Sequence, residues 1–248
     1  MARGTERTSS WRAGGSFALT RWSVVLAAAG PASRSRRRRA LGELARINWY
    51  PLYAFIRRQG APHEQAEDLT QGFFARLLEK EGLAAVAKDK GRFRSFLLAA
   101  VKHFLSNERD KARAIKRGGG TPPLSLDLLA GESHYAAEPA DRMTPEKAFD
   151  RRWALAVLDE VLARLRREYA QSDRRQLFEA LEPALAAEAD APSHAEVARK
   201  LGMTEGAVKV AAHRLRKRYR ELLREEIAQT VDGPELVDEE IRYLLQCL

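Results

Sequence analysis

Two helix starts and one helix stop lie close together in the segment 193–208. Ser193 and Glu196 have the spacing of a capping box. In this motif the serine hydroxyl accepts a hydrogen bond from the backbone N–H of the third helical residue, and the glutamate side chain accepts one from the backbone N–H of the serine. Gly202 suits the left-handed conformation that ends many helices, and Thr204 can cap the helix that follows. The segment therefore predicts two short helices joined by a tight turn.

The spacing of Ala198, Gly202 and Val208 is typical of a helix-turn-helix. The first helix needs a small residue where the second crosses it, and the turn needs a residue that accepts a positive φ. The second helix needs a branched anchor in the core. A helical hairpin that only packs is the alternative interpretation, and the basic character of the second helix favours DNA binding instead.

At about 100° per residue, the second helix divides into a buried stripe and an opposite outward face. The predicted buried stripe consists of Val208, Ala212, Leu215 and Tyr219. The outward face is expected to contact DNA, with its N-terminal part in the major groove. Its candidate contact residues are Gly206, Lys209, Val210, His213, Arg214, Lys217 and Arg220.

Val210 is the most informative of these candidates, because an outward valine has no core to fill and suits a close approach to base edges. His213 or Arg214 would supply hydrogen bonds to bases, and Arg220 is better placed for phosphates. Further along the same helix, Arg218 and Arg224 are interpreted as a solvated basic face.

Helical periodicity also dominates the rest of the chain, and no window alternates with period two, so we expect an all-α protein. The strongest helix breaker is the run GGGTPP at 118–123, and a lesser interruption is expected at Pro51. The predicted organisation is two helical domains joined by a flexible linker. Its parts are a disordered extension 1–19, a first domain 20–116, a linker 117–146, a second domain 147–228 and an acidic tail 229–248.

Charge is distributed in blocks along the chain. The total is +9, from 43 basic and 34 acidic residues. Residues 85–117 carry net +7 and residues 204–224 net +5, whereas residues 127–150 carry −4 and residues 225–242 carry −6. Two basic blocks with acidic blocks between and after them predict two binding sites for one long polyanion.

Several classes of function are not expected. Cys247 is the single cysteine and the five histidines are scattered, so no metal or cofactor is predicted. A nuclease would need clustered carboxylates or a metal site, and neither is evident, so we expect no enzyme activity. The apolar runs are too short to span a membrane, and no secretion signal is recognisable. A cytoplasmic protein is therefore expected.

A predicted helix at 63–80 leaves a mixed face outward. This face carries Asp68, Gln71, Gly72 and Ala75, where small residues leave room for another helix. From the residues alone, an ordinary solvated face explains the pattern as well as a docking surface does. A long basic helix is predicted to follow at 93–115.

Two stretches of this chain resemble extracytoplasmic-function sigma factors of bacterial RNA polymerase. Residues 66–74 (AEDLTQGFF) and 93–97 (FRSFL) resemble their region 2. Residues 195–198 (AEVA), 206–209 (GAVK) and 213–214 (HR) resemble their region 4. The resemblance covers about 20–116 and 147–228, with the linker between them.

This resemblance implies a promoter-recognition subunit. Its region 2 would dock on the clamp helices of the largest polymerase subunit through Asp68, Gln71, Gly72 and Ala75. The basic helix would engage the −10 element and capture an unstacked base through Lys102, His103, Ser106, Asn107, Arg109 and Arg113. Region 4 would read the −35 element beside the polymerase flap. The implied partners are core polymerase and promoter DNA, with an anti-sigma factor or other regulator as a further candidate.

The chain departs from the family pattern at four places, one of which is a longer and more alanine-rich lead-in to the helix-turn-helix at 177–192. Gly72 stands where an acidic residue is usual, and His103 where asparagine is common. The residues after 228 are additional, and their pattern predicts an acidic amphipathic helix that shields a basic surface or binds a regulator. A free-standing helix-turn-helix regulator is the alternative function, and it would leave the basic helix 93–115 unexplained.

Overall fold

A computed structural model of the chain describes residues 34–79, 91–115, 143–185 and 191–248. In these residues the fold is helical without strands, which confirms the all-α prediction for this part of the chain. The helices are α1 (Arg34–Arg58), α2 (His63–Glu79), α3 (Phe93–Ile115), α4 (Pro145–Gln171), α5 (Arg175–Leu181), α6 (His194–Leu201), α7 (Glu205–Ala228) and α8 (Val237–Gln246). The extension 1–19 and nearly all of the linker 117–146 lie outside the described residues.

Helix α1 continues through Pro51, so the predicted interruption there is wrong. Proline lacks the N–H of one intrahelical hydrogen bond and crowds the preceding turn, which disfavours a continuous helix. The next five residues, 52–56, are all completely buried. Their packing offsets the local cost of the proline, because burying large side chains stabilises the helix through the core.

A first hydrophobic cluster joins α1, α2 and α3 to the start of α4, the end of α7 and α8. Phe93 and Trp153 are buried at its centre, with ring centroids 5.9 Å apart. Phe96 lies at the edge of this cluster and is half-buried. Phe93 is therefore a core residue, whereas Phe96 packs only partly.

A second hydrophobic cluster joins the later part of α4 to α5, α6 and α7. It includes Phe178 of α5 together with the predicted buried stripe of α7. Val208, Ala212 and Leu215 are buried as predicted, and Tyr219 is half-buried against them. This packing sets the rotation of α7 about its axis and so decides which of its residues face outward.

Two long helices belong to both clusters. Along α4, Trp153 and Val157 pack in the first cluster and Val161 and Leu165 in the second. Helix α7 also contributes to both clusters, because Leu215 packs in the second cluster and Ile227 packs in the first. A helix of 27 residues such as α4 is about 40 Å long, enough to cross both cores. The two clusters therefore share two continuous helices.

The predicted acidic amphipathic helix after residue 228 is confirmed as α8. Its apolar residues Val237 and Leu244 are 4% and 5% exposed in the first cluster. The turn before it also contacts α3, because the Phe93 backbone N–H donates to the Thr230 carbonyl over 2.8 Å. The segment after α7 thus closes the first core from the side of α3.

Candidate nucleic-acid interface

The turn between α6 and α7 has the geometry that the sequence predicts. The Ser193 N–H donates to Glu196 over 2.7 Å and the Glu196 N–H donates to the serine hydroxyl, so the capping box is confirmed. Gly202 has φ of 63°, and the Ala207 N–H donates to the Thr204 hydroxyl over 3.2 Å. The hydrogen bond from the Ser193 hydroxyl holds the pKa of the Glu196 carboxyl below its ordinary value. These contacts set the start of α7.

The predicted contact face of α7 is exposed along its whole length. Its exposed members are Gly206, Lys209, Val210, His213, Arg214, Lys217 and Arg220. Val210 is 51% exposed, whereas Val208 two residues earlier is fully buried. A single exposed apolar side chain is common on protein surfaces, and Val210 is distinguished by the exposed cations Lys209 and Arg214 on the same face.

Three cations on this face make no ion pair or hydrogen bond within the described ranges of the chain. They are Arg214, Lys217 and Arg220. Lys209 is different, since its ammonium lies 2.8 Å from Glu205 one turn earlier, and this contact lowers the pKa of the Glu205 carboxyl. Such an exposed pair contributes little to stability and is easily exchanged for a phosphate.

Arg218 does not belong to a solvated face, so that interpretation is wrong. Its guanidinium makes two hydrogen bonds to Glu168 of α4, of 2.8 and 2.9 Å. The paired geometry raises the pKa of Arg218 and lowers that of Glu168. Arg224 stays near the surface and pairs with Asp238 at the start of α8. Both arginines therefore serve contacts between helices.

A groove of about 460 Å³ borders the contact face of α7 and was not predicted from the sequence. Its walls include Tyr169 and Arg174 from the end of α4 and the turn after it, and Leu177 from α5. Val210 and Arg214 form the edge toward the contact face. Tyr169 follows the apolar spacing of α4, so the linear sequence alone gives no sign that it lines a groove beside α7.

On α3 the predicted −10 contacts are also at the surface. Lys102, His103, Ser106 and Arg109 are exposed and Asn107 is half-buried. The side chain of Arg113 lies outside the described residues.

The polar groups on this surface of α3 are engaged within the chain. The Lys102 ammonium lies 2.8 Å from Glu146 in the first turn of α4. This hydrogen bond is the main reason why the pKa of the Glu146 carboxyl is lowered. The Arg109 guanidinium donates to the Gln59 side chain over 3.2 Å, and the side chains of His103 and Asn107 lie 3.2 Å apart.

The predicted docking face of α2 is partly covered. Asp68 and Gln71 are half-buried and Ala75 is exposed. Gly72 is half-buried like Asp68 and Gln71, and a Cβ atom added to it would lie 3.4 Å from the Phe104 ring of α3. The absence of a side chain at this position leaves room for α3.

A buried charged network joins α3, α4 and α8, and sequence reasoning missed it. Arg94 is 5% exposed, and its guanidinium donates to Glu240 over 3.1 Å and to Asp150. The Tyr243 hydroxyl donates to Asp150 over 2.5 Å, which raises the pKa of Tyr243 to about 12. Arg92 also pairs with Glu240, at 3.0 Å. The partners lie far apart in sequence, so no local spacing predicts them.

Among the described residues, no group of histidine, cysteine, aspartate and glutamate side chains could hold a metal ion. None of the helices in the described ranges combines the length and apolar character that crossing a membrane requires. Comparisons with protein-family models, with curated proteins and with solved structures each found no match to this chain.

Proposed function

We propose that this chain is a sigma factor of the extracytoplasmic-function class, which directs core RNA polymerase to promoters and helps to open the −10 region. The observation that carries the proposal is the outward face of α7, where an exposed valine lies among unpaired cations. A helix held by such a turn can place its N-terminal half in the major groove. Val210 then meets base edges and Arg214 hydrogen-bonds to them, which is the role proposed for the −35 element.

The second part of the proposal concerns α3. Its exposed Lys102, His103 and Arg109 form a basic surface on another helix of the molecule. Cations near aromatic or imidazole groups suit single-stranded DNA, which is bound by charge along its backbone and by stacking of its bases. Two such surfaces on one chain support a protein that contacts two promoter elements in the cytoplasm. A free-standing regulator needs only the first surface.

The alternative, a free-standing helix-turn-helix regulator, is favoured by one observation. The cations of α3 are engaged within the chain, Lys102 by Glu146 and Arg109 by Gln59, whereas those of α7 are not. A regulator that binds duplex DNA through α7 alone would leave these contacts in place. A sigma factor must exchange them for DNA when the promoter opens.

Reconstitution with core polymerase separates the two functions. A sigma factor forms a stoichiometric complex and starts transcription at defined sites on a genomic fragment library, whereas a free-standing regulator does neither. Asp68→Arg should abolish the complex without unfolding the chain, because it reverses one charge on a half-buried face. Asp159→Arg, at an exposed position of α4, is the control and should leave the complex intact. An intact complex with Asp68→Arg would contradict the docking face.

A further inference from the structure

We propose that the groove between α7 and the turn after α4 holds the sugar–phosphate backbone of one DNA strand, with one phosphate bound by Arg174 and the Tyr169 hydroxyl. The inference rests on the proposed reading of DNA by α7 and adds a contact that neither the helix-turn-helix pattern nor the family resemblance assigns. It names two residues outside the contact face of α7, and it predicts that their role is independent of base sequence.

The charge of the groove matches a phosphate. Its lining includes the guanidinium groups of Arg174 and Arg214 and no carboxylate. In the described part of the chain, Arg174 makes no ion pair and the Tyr169 hydroxyl makes no hydrogen bond. Both arginines act electrostatically on this tyrosine, as does the Glu168 carboxylate, which is itself hydrogen-bonded to Arg218. The Arg174 guanidinium and an unpartnered hydroxyl donor form a site for an anionic oxygen, and Arg214 adds positive charge at its edge.

The position of the groove selects the DNA backbone over a base. A helix with its side chains is about 10–12 Å across, close to the width of the major groove of about 12 Å. Bases therefore meet the outward face of α7, and the sugar–phosphate strands pass along its flanks. The groove lies on such a flank, because Gly206, Val210 and Arg214 form its near edge and Tyr169 and Arg174 its far edge.

The walls of the groove fit a deoxyribose beside the phosphate. Leu177 and Met203 supply apolar surface, and Ala207 and Ala211 are small enough to let a strand come close to α7. The Tyr169 ring is held in place by Phe178, with ring centroids 5.7 Å apart. A side chain held in this way loses little conformational entropy when its hydroxyl binds a ligand.

The turn that carries Arg174 is well defined. Asp173 adopts φ of 57°, which is uncommon for a residue other than glycine, and the Arg174 N–H donates to the Tyr169 carbonyl over 2.9 Å. This bond keeps the backbone of Arg174 next to Tyr169. The following residue, Arg175, is equally exposed but does not line the groove. Two adjacent arginines therefore give a matched pair for a test.

The experiment compares Arg174→Ala with Arg175→Ala in the full chain, alone and with core polymerase, on a duplex selected by the wild-type protein from a randomised library. Arg174→Ala should weaken binding about three- to tenfold on every sequence and lower the slope of log affinity against log salt by about one. Arg175→Ala should change neither quantity. Tyr169→Phe, which removes only the hydroxyl, should give a smaller uniform loss of about twofold.

The outcomes separate this inference from the function on which it rests. If the wild-type protein selects no sequence and binds duplex DNA weakly, the proposed function fails and the inference fails with it. If the wild-type protein selects a sequence but the two arginine variants bind it alike, only the inference fails. A loss confined to one base position would also overturn it, because a phosphate contact carries no sequence information. Thermal unfolding of each variant shows whether the fold is retained.

Discussion

The basic helices α3 and α7 use similar residues in different ways. On α3, Arg94 is buried in ion pairs with Asp150 and Glu240, and Lys102 is paired with Glu146. On the outward face of α7, by contrast, Arg214, Lys217 and Arg220 make no such pair in the described ranges. Charge counted along the sequence therefore does not distinguish cations that are paired within the chain from cations that are not.

The buried and the exposed arginines differ in how much hydration their charged groups have lost on folding. A buried arginine has given up hydration and keeps its charge only because carboxylates replace the water, so removing a partner leaves an unpaired charge in the core. An exposed arginine remains hydrated and can exchange water for a phosphate or a base edge. Substitutions in the buried network around Arg94 should thus change stability, and those on the outward face of α7 should change DNA affinity.

The largest effect is expected inside the network. Glu240→Gln removes the charge that faces both Arg94 and Arg92 at a site that is 1% exposed. We expect the free energy of unfolding to fall by about 3 kcal/mol, as measured by urea denaturation, because the buried Arg94 keeps only one of its two carboxylate partners. Glu179→Gln, at an exposed position on α5, serves as the control and should change stability by less than about 0.5 kcal/mol. Equal effects of the two substitutions on the free energy of unfolding would contradict the proposed difference between buried and exposed charges.

A smaller effect, and of another kind, is expected on α7. Arg214→Ala should weaken promoter binding by about 1–3 kcal/mol and relax the preference at one position of the −35 element, with unfolding unchanged. Arg220→Ala should weaken binding to all sequences alike and lower the salt slope by about one. Affinity measured on a set of single-base variants distinguishes these patterns. A uniform loss with Arg214→Ala would place this residue among the phosphate contacts.

The smallest effect is expected when Lys102 of α3 is left unpaired, as the cations on the outward face of α7 are. Glu146→Gln frees Lys102 from an ion pair whose side chains are 39% and 47% exposed. Because exposed pairs contribute about 0–1 kcal/mol, we expect single-stranded DNA to bind about two- to fivefold more tightly, as measured by fluorescence anisotropy. In a Lys102→Gln background the same substitution should have no further effect. A gain that persists without Lys102 would mean that Glu146 acts by general repulsion.

The sequence predicts those features that depend on neighbours in the chain. The capping box at Ser193, the left-handed Gly202 and the outward Val210 each follow from a spacing of a few residues. Helical periodicity was sufficient to predict α8 as an amphipathic helix. Local chemistry of this kind is present in the linear sequence before any tertiary packing is known.

Features that depend on distant partners could not be predicted. Arg94 and Glu240 are 146 residues apart, and no local pattern indicates that they meet. No local pattern indicates that the Phe104 ring of α3 lies beside Gly72. The apolar spacing of α4 predicts Tyr169 as a core residue, and only the packing of the turn after α4 shows that it also lines the groove. In each case the missing information is the packing of helices, which periodicity does not determine.

The hydrogen bond between Phe93 and Thr230, with α8 packed behind it, has a consequence for biosynthesis. The ribosome completes α1, α2 and α3 by residue 115, but the helix that covers their core ends only at residue 246. At about 5–20 residues per second, roughly 7–26 s separate these two points. During this interval the nascent chain exposes apolar surface that its own later residues will cover. Its first helices are therefore expected to be clients of ribosome-associated chaperones.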